Sequence, residues 1–285
     1  MSKSQYNTNN AYELLIWQLE AGIDQCIGDE PNNRLNKKPE NQEFTEKKAV
    51  GAIANRDKVQ TTKNIKNSGT PSLVNERNIE HFLDASPVSS RELALDCNSL
   101  EELEAAVRDF DECALKKTSA NTVFSSGSID ARVMFVGEAP GAEEDREGRP
   151  FVGASGRLFD KMLASIGIIR DKVYITNTIF WRPPGNRRPT GAEVAQCLPF
   201  LQRQIELVRP DILVPLGGSA SQTLLKVDLG ITLLRGRWYE YTLSDNSKIV
   251  TLPMFHPAYL LRSPVHKREA WRDMLALSDK LNQKQ

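Results

Sequence analysis

Between residues 132 and 281 the chain alternates four short apolar runs with four amphipathic stretches, and this alternation restricts the possible folds more than any other feature. The runs Arg132–Val136, Val173–Phe180, Ile212–Leu216 and Ile249–Phe255 read as strands, too uniformly apolar to have a wet face. Ser155–Ile166 puts Leu158, Phe159, Met162 and Ile166 on one helical face. Thr190 offers an N-cap with Glu193 at the capping-box position, and Val194, Cys197, Leu198, Leu201 and Ile205 line the inward face of a helix reaching Val208. Ser219–Leu225 and Arg268–Leu281 are the remaining helices. Repeated strand–helix units predict an α/β protein with a mainly parallel sheet and helices on both faces.

The first third of the chain has a different character. Tyr12, Leu15, Ile16, Leu19 and Ile23 share a face over residues 11 to 27 and Gly28 is a stop, so residues 1–28 predict an N-terminal amphipathic helix. From 29 to 85, Asn, Lys, Gln, Thr and Glu dominate. Such a segment buries too little apolar surface to offset its ordering entropy and reads as a disordered linker. Order is expected to resume near Ser86, with Ser99 opening a helix whose apolar face is Leu100, Leu103, Val107 and Phe110, leaving residues 86–285 as the folded domain.

Lys plus Arg and Asp plus Glu both total 37 in 285 residues, so any nucleic-acid surface must be a local concentration of charge. The polar start and the lack of a long apolar run predict a soluble, cytoplasmic protein with no membrane segment, and a monomer is expected. Cys26, Cys97, Cys113 and Cys197 are widely spaced without a CxxC pair, which in the cytoplasm favours free thiols.

Chemistry concentrates where strands end. Gly137-Glu138-Ala139-Pro140-Gly141 is a tight turn with exposed amides and a carboxylate, followed by Glu143, Glu144 and Asp145. Phe151, flanked by Pro150 and Gly153 on a loop, is a candidate stacking platform for a planar ligand. Asn177 ends an apolar strand, where a side-chain amide is either a structural tie or a reader of a polar edge. The Pro-rich loop after it carries Arg182, Arg187, Arg188 and Asn186, suited to a phosphate backbone. His256 ends the last strand on the same side as Glu138. Beyond it, Leu260, Leu261 and Arg262 resemble a wedge for a vacated base stack beside a phosphate-gripping cation, while His266 reads as exposed.

GEAPGAEED, GRPFVG, NTIFWRPPGNR, PLGG and FHPAYLLR, in this order, closely resemble the family-4 uracil-DNA glycosylases over roughly residues 109 to 281. The resemblance implies a three-layer α/β/α domain around a central four-stranded parallel sheet, and removal of uracil from DNA by N-glycosidic hydrolysis in base excision repair. It implies that Phe151 stacks on the extruded uracil, Asn177 reads its Watson–Crick edge, backbone at Glu138 and Ala139 lines the pocket, and His256 sits at the carbonyl that gains charge. Glu138 then positions water, and Glu144 and Asn186 match further catalytic positions. Uracil-containing DNA is the implied partner, and the N-terminal helix is a candidate site for docking on the domain or on a repair protein.

One departure matters. The family usually holds a [4Fe–4S] cluster on four cysteines; Cys113 and Cys197 occupy two of these positions, but Phe110 and Trp181 stand at the others. Two thiolates do not satisfy a cluster that needs four, so no cofactor and no metal are expected, with aromatic packing in its place. The alternative function is a non-catalytic module that binds uracil or damaged DNA. Relatives that trap uracil-DNA covalently use a histidine in a loop after the Asn strand, and none lies between Asn177 and Cys197.

Overall fold

The computed structural model describes residues 88–283. The expected N-terminal helix and the linker, with Cys26, lie outside them. The described residues begin with helices α1 (Val88–Asp96) and α2 (Leu100–Asp109), followed by β1 (Ser126–Gly127), β2 (Val133–Gly137), α3 (Ala142–Glu147), α4 (Ala154–Ser165) and β3 (Tyr174–Asn177). Then come α5 (Gly191–Val208), β4 (Ile212–Pro215), α6 (Gly218–Leu225), α7 (Ile231–Leu234), β5 (Tyr239–Thr242), β6 (Lys248–Thr251), α8 (Pro257–Arg262) and α9 (Lys267–Asn282).

Local signals account for the helix starts. The Ser99 hydroxyl accepts from the Glu102 N–H at 3.2 Å, and the Glu102 carboxylate accepts from the Asn98 N–H at 2.6 Å. At α5 the capping box is complete: Thr190 accepts from the Glu193 N–H at 3.3 Å and Glu193 accepts from the Thr190 N–H at 2.7 Å.

The sheet has six strands in the order β1-β3-β2-β4-β6-β5. Its four central strands, β3-β2-β4-β6, are mutually parallel, as expected; β1 and β5 pair antiparallel and extend the sheet at its edges. Alternating side chains fill two cores. Phe135, Ile175 and Val214 pack with Leu158, Phe159 and Met162 of α4 and Met274 and Leu277 of α9, while Met134, Val136 and Leu213 pack with Leu198, Leu201 and Ile205 of α5 and Leu224 of α6. A third cluster under α1 and α2 holds Phe110, Cys113, Trp181 and Cys197. No helix among the described residues is long and apolar enough to cross a membrane.

This topology locates the cleft. The chain leaves β2 toward β3 on one side and returns to β4 on the other, so the loops after β2 and β4 diverge and open a crevice at the carboxyl end of the sheet. Parallel register sets Gly137 beside Asn177, and a bridge between Leu216 and Met254 brings the segment after β6 to the same edge.

Candidate active site

A cavity of about 680 Å³ occupies this crevice, and its walls include Glu138, Ala139, Phe151, Asn177, Gly217, His256 and Arg262. Asn177 is 2% exposed, and what remains accessible of it lines the cavity. A side-chain amide that both donates and accepts, set in a cavity wall, is suited to a ligand's polar edge. Gly137 brings its neighbours together: a Cβ there would lie 2.2 Å from Asn177 Oδ1 and 2.8 Å from the Phe151 ring. Phe151 itself is 4% exposed and has a left-handed backbone, φ 53°. Its ring centroid lies 5.4 Å from that of His256, with the planes 30° apart.

His256 is the N-cap of α8, and its Nδ1 accepts from the Ala258 N–H at 3.1 Å. A ring nitrogen that accepts carries no proton, so in the neutral imidazole the hydrogen sits on Nε2. Burial pushes the pKa down to about 4, assisted by the Arg262 cation and opposed by the Glu144 charge. The site therefore offers a neutral N–H donor at physiological pH. Gly217, φ 88°, permits the approach, because a Cβ there would meet the His256 Cβ at 3.1 Å.

The carboxylates divide into two kinds. Glu138 is half-buried in the cavity wall with Arg188 Nε 3.9 Å away, and Arg188 also donates to Gln222 Oε1 at 3.2 Å. Glu144 is buried, with both oxygens engaged: Oε1 accepts from the N–H groups of Val152 and Gly153 at 3.0 and 2.9 Å, and Oε2 accepts from Gly141 at 3.1 Å. It ties together loops at the cavity wall, which it also lines.

The basic loop is more internally paired than its sequence suggests. Arg187 forks onto Glu193 at 2.9 and 2.6 Å, which holds that carboxylate down at about 2 and fastens the loop to α5. Asn186, left-handed at φ 55°, accepts from Arg182 Nε at 2.7 Å. Arg188 and Arg262 remain on the cavity rim. Of the two leucines expected as a wedge, Leu260 is 0% exposed and packs in the core, so only Leu261, 45% exposed, reaches the surface. His266 is not a loose surface residue either: its Nδ1 lies 3.0 Å from the Tyr259 hydroxyl and its ring packs on Phe255.

Residues 124–275 match the family model described as the uracil DNA glycosylase superfamily. The type-4 uracil-DNA glycosylase of Archaeoglobus fulgidus is 40% identical over 191 residues, 66% of this chain and 96% of that protein. The type-4 enzyme of Thermotoga maritima is 41% identical over 165 residues, 58% of this chain and 84% of that one. The chain belongs to the type-4 uracil-DNA glycosylases.

Within that family the cluster positions stand out. Phe110, Cys113, Trp181 and Cys197 are all buried in one apolar cluster. Phe110 meets Phe200 edge-on at 5.2 Å, Trp181 meets Phe180 edge-on at 6.1 Å, and the Trp181 indole N–H donates to the Thr122 hydroxyl at 3.1 Å. Among the described residues no group of three or more His, Cys, Asp or Glu could hold a metal ion. An indole and a phenyl ring cannot replace two thiolates, so these four described residues do not by themselves fit the [4Fe–4S] cluster.

Several contributors were not among the candidate site residues of the sequence. Gly137, Gly217 and the Ala258 amide act through backbone geometry, and Gln222 reaches Arg188 from a helix face. The positive φ at Gly217 sits within the PLGG turn, whose paired glycines were the available signal.

Proposed function

We propose that this chain hydrolyses the N-glycosidic bond of deoxyuridine in DNA, releasing uracil and leaving an abasic site. The observation that carries the reading is that Asn177, almost fully buried, lines the same cavity as Phe151 and His256. A base within a duplex is out of reach, so uracil enters after extrusion and stacks on Phe151. The Asn177 amide donates to an exocyclic oxygen and accepts from the adjacent ring N–H. Cytosine presents the reverse pattern and would leave both groups mismatched in a buried site.

As the C1′–N1 bond breaks, its electron pair stays with uracil and the sugar becomes oxocarbenium-like. The Nε2–H of His256 donates to the uracil carbonyl that gains negative charge, an interaction stronger in the transition state than in the ground state. Glu138 orients a water whose oxygen bonds to C1′; the proton it loses passes to the Glu138 carboxylate, and the uracil anion is protonated on release. Glu144 acts by fixing the loops around the cavity, and Asn186 by holding Arg182. Arg182, Arg188, Arg262 and Leu261 form the DNA-facing rim, while Arg187 contributes by bracing the loop.

The same reading makes this a cluster-free member of its family, in which Phe110 and Trp181 pack where thiolates would bind iron, and the enzyme works as a soluble cytoplasmic monomer. Residues 86–285 form the catalytic domain. A visible absorbance band with about four irons per purified chain would contradict the cluster-free reading.

The test is a strand-cleavage assay with the full chain and an end-labelled oligonucleotide containing one uracil. Alkali-labile breaks at uracil, and none at cytosine or thymine, are expected. Tight binding without breaks would identify a non-catalytic uracil-binding module instead, and neither binding nor breaks would overturn the reading.

A further inference from the structure

Phe151 has a backbone that side-chain-bearing residues rarely adopt, so something must hold it there. The peptide group joining Phe151 to Val152 is gripped at both ends. Its oxygen accepts from Arg170 Nη1 at 2.9 Å, and its N–H donates to Glu144 Oε1 at 3.0 Å. The preceding peptide is held as well, because the Pro150 carbonyl accepts from Arg170 Nη2. Two fixed peptide planes on either side of one Cα leave neither torsion of Phe151 free to relax. The helix behind presses on the same carbonyl: a Cβ at Gly156 would stand 2.0 Å from the Phe151 oxygen, so the side of the turn facing α4 is closed.

Arg170 is itself locked. It lies just before β3, and its guanidinium also donates to Asp160 Oδ1 of α4 at 2.9 Å and to the Ser126 hydroxyl of β1 at 3.2 Å. Its four acceptors come from three separate parts of the fold, and the planar fork of an arginine matches them in a way that a lysine ammonium cannot. Arg170 is not among the residues that line the cavity, and of its four acceptors only the Phe151 carbonyl belongs to a wall residue.

We infer that Arg170 is a positioning residue for base recognition: opposite Glu144, it fixes the left-handed turn that presents the Phe151 ring to the extruded base. This rests on the reading of Phe151 as the stacking platform. The guanidinium acts on the ring's placement rather than on reacting atoms, so its loss should loosen uracil capture without weakening the arginine rim that meets DNA.

The experiment compares Arg170→Gln, Arg170→Lys and Asp160→Asn with wild type and Phe151→Ala in the full chain. It measures single-turnover kcat, KM for a uracil oligonucleotide, inhibition by free uracil, and thermal unfolding. For Arg170→Gln the expectation is a fall in kcat and a loss of uracil inhibition, each of about 10–100-fold, with KM for DNA within about twofold. Arg170→Lys should recover part of both losses, since one carbonyl can still be held. Asp160→Asn keeps the guanidinium and only loosens it, so it should show a smaller loss in the same direction even if Arg170→Gln fails to fold. Wild-type kcat and uracil inhibition in Arg170→Gln, or in Asp160→Asn where the former is unfolded, would overturn the inference if Phe151→Ala is impaired. Wild-type behaviour of Phe151→Ala would instead overturn the stacking assignment on which the inference stands.

Discussion

The imidazole of His256 lies 5.4 Å from the ring of Phe151, centroid to centroid, and only 30° from parallel to it. Two residues 105 positions apart thus furnish one wall of a single cavity, one as an apolar plate and the other as a neutral donor. His256→Ala removes the donor and leaves the plate. The expected result is a fall in kcat of about 10²–10³-fold with KM changed far less, measured under single turnover, because the donor acts on charge that develops during bond breaking.

The depressed pKa of His256 gives a pH signature. Its folded value, about 4, lies below the ordinary value of 6.5, so the unfolded chain takes up a proton at this site first as pH falls. Stability associated with the neutral ring is present above pH 6.5 and declines as the pH drops from there toward 4. The kcat profile should accordingly show no step near 6.5 that is absent from His256→Ala. In an NMR titration, His256 should keep its proton on Nε2 at pH 7 and titrate near 4, whereas a midpoint at 6.5 would remove the neutral-donor assignment.

Gly137→Ala inserts a methyl group where the Asn177 oxygen and the Phe151 ring converge, at 2.2 and 2.8 Å. The amide must swing away or the ring must shift, and both line the cavity proposed to take the base. A loss of at least about tenfold in kcat/KM on uracil DNA is expected, with the fold retained by circular dichroism.

Trp181 is fully buried and its indole N–H is satisfied by Thr122. Trp181→Ala should cost about 3–5 kcal/mol in urea unfolding, the range for emptying a large aromatic site. Thr122→Val tests the hydrogen bond alone and should cost about 1–3 kcal/mol, since it leaves a buried donor unpaired.

Arg235 forks onto the buried Asp273 of α9, with Nε to Oδ2 at 2.8 Å. Asp273→Ala strands a largely buried cation and should destabilise the protein by about 3–5 kcal/mol, read by denaturant unfolding.

The parallel centre of the sheet was legible because each of its strands is an apolar run followed by a helix with a readable face or cap, as at Thr190. The edges were not. β1 is two residues long, below any period that could be read, and β5 alternates exposed and buried positions as an edge strand does. In the site, Phe151, Asn177 and His256 announced themselves by being out of keeping with their surroundings: an aromatic on a loop, an amide ending an apolar strand, and an imidazole before proline. Leu260 and Leu261 could not be told apart, because a six-residue helix is too short for its buried face to be inferred. The pairing of Arg187 with Glu193 and of Arg170 with the Phe151 turn depends on partners that only the folded chain brings near.

The assay that bears most directly on the shared pocket is the single-turnover excision of uracil against cytosine from matched oligonucleotides, for wild type and Asn177→Ala. Wild type should cut at uracil alone. The variant should lose at least about a hundredfold in uracil excision, narrowing the gap between the two bases, because the amide proposed to distinguish them is gone. Equal uracil rates and undiminished selectivity in the two proteins would contradict the account.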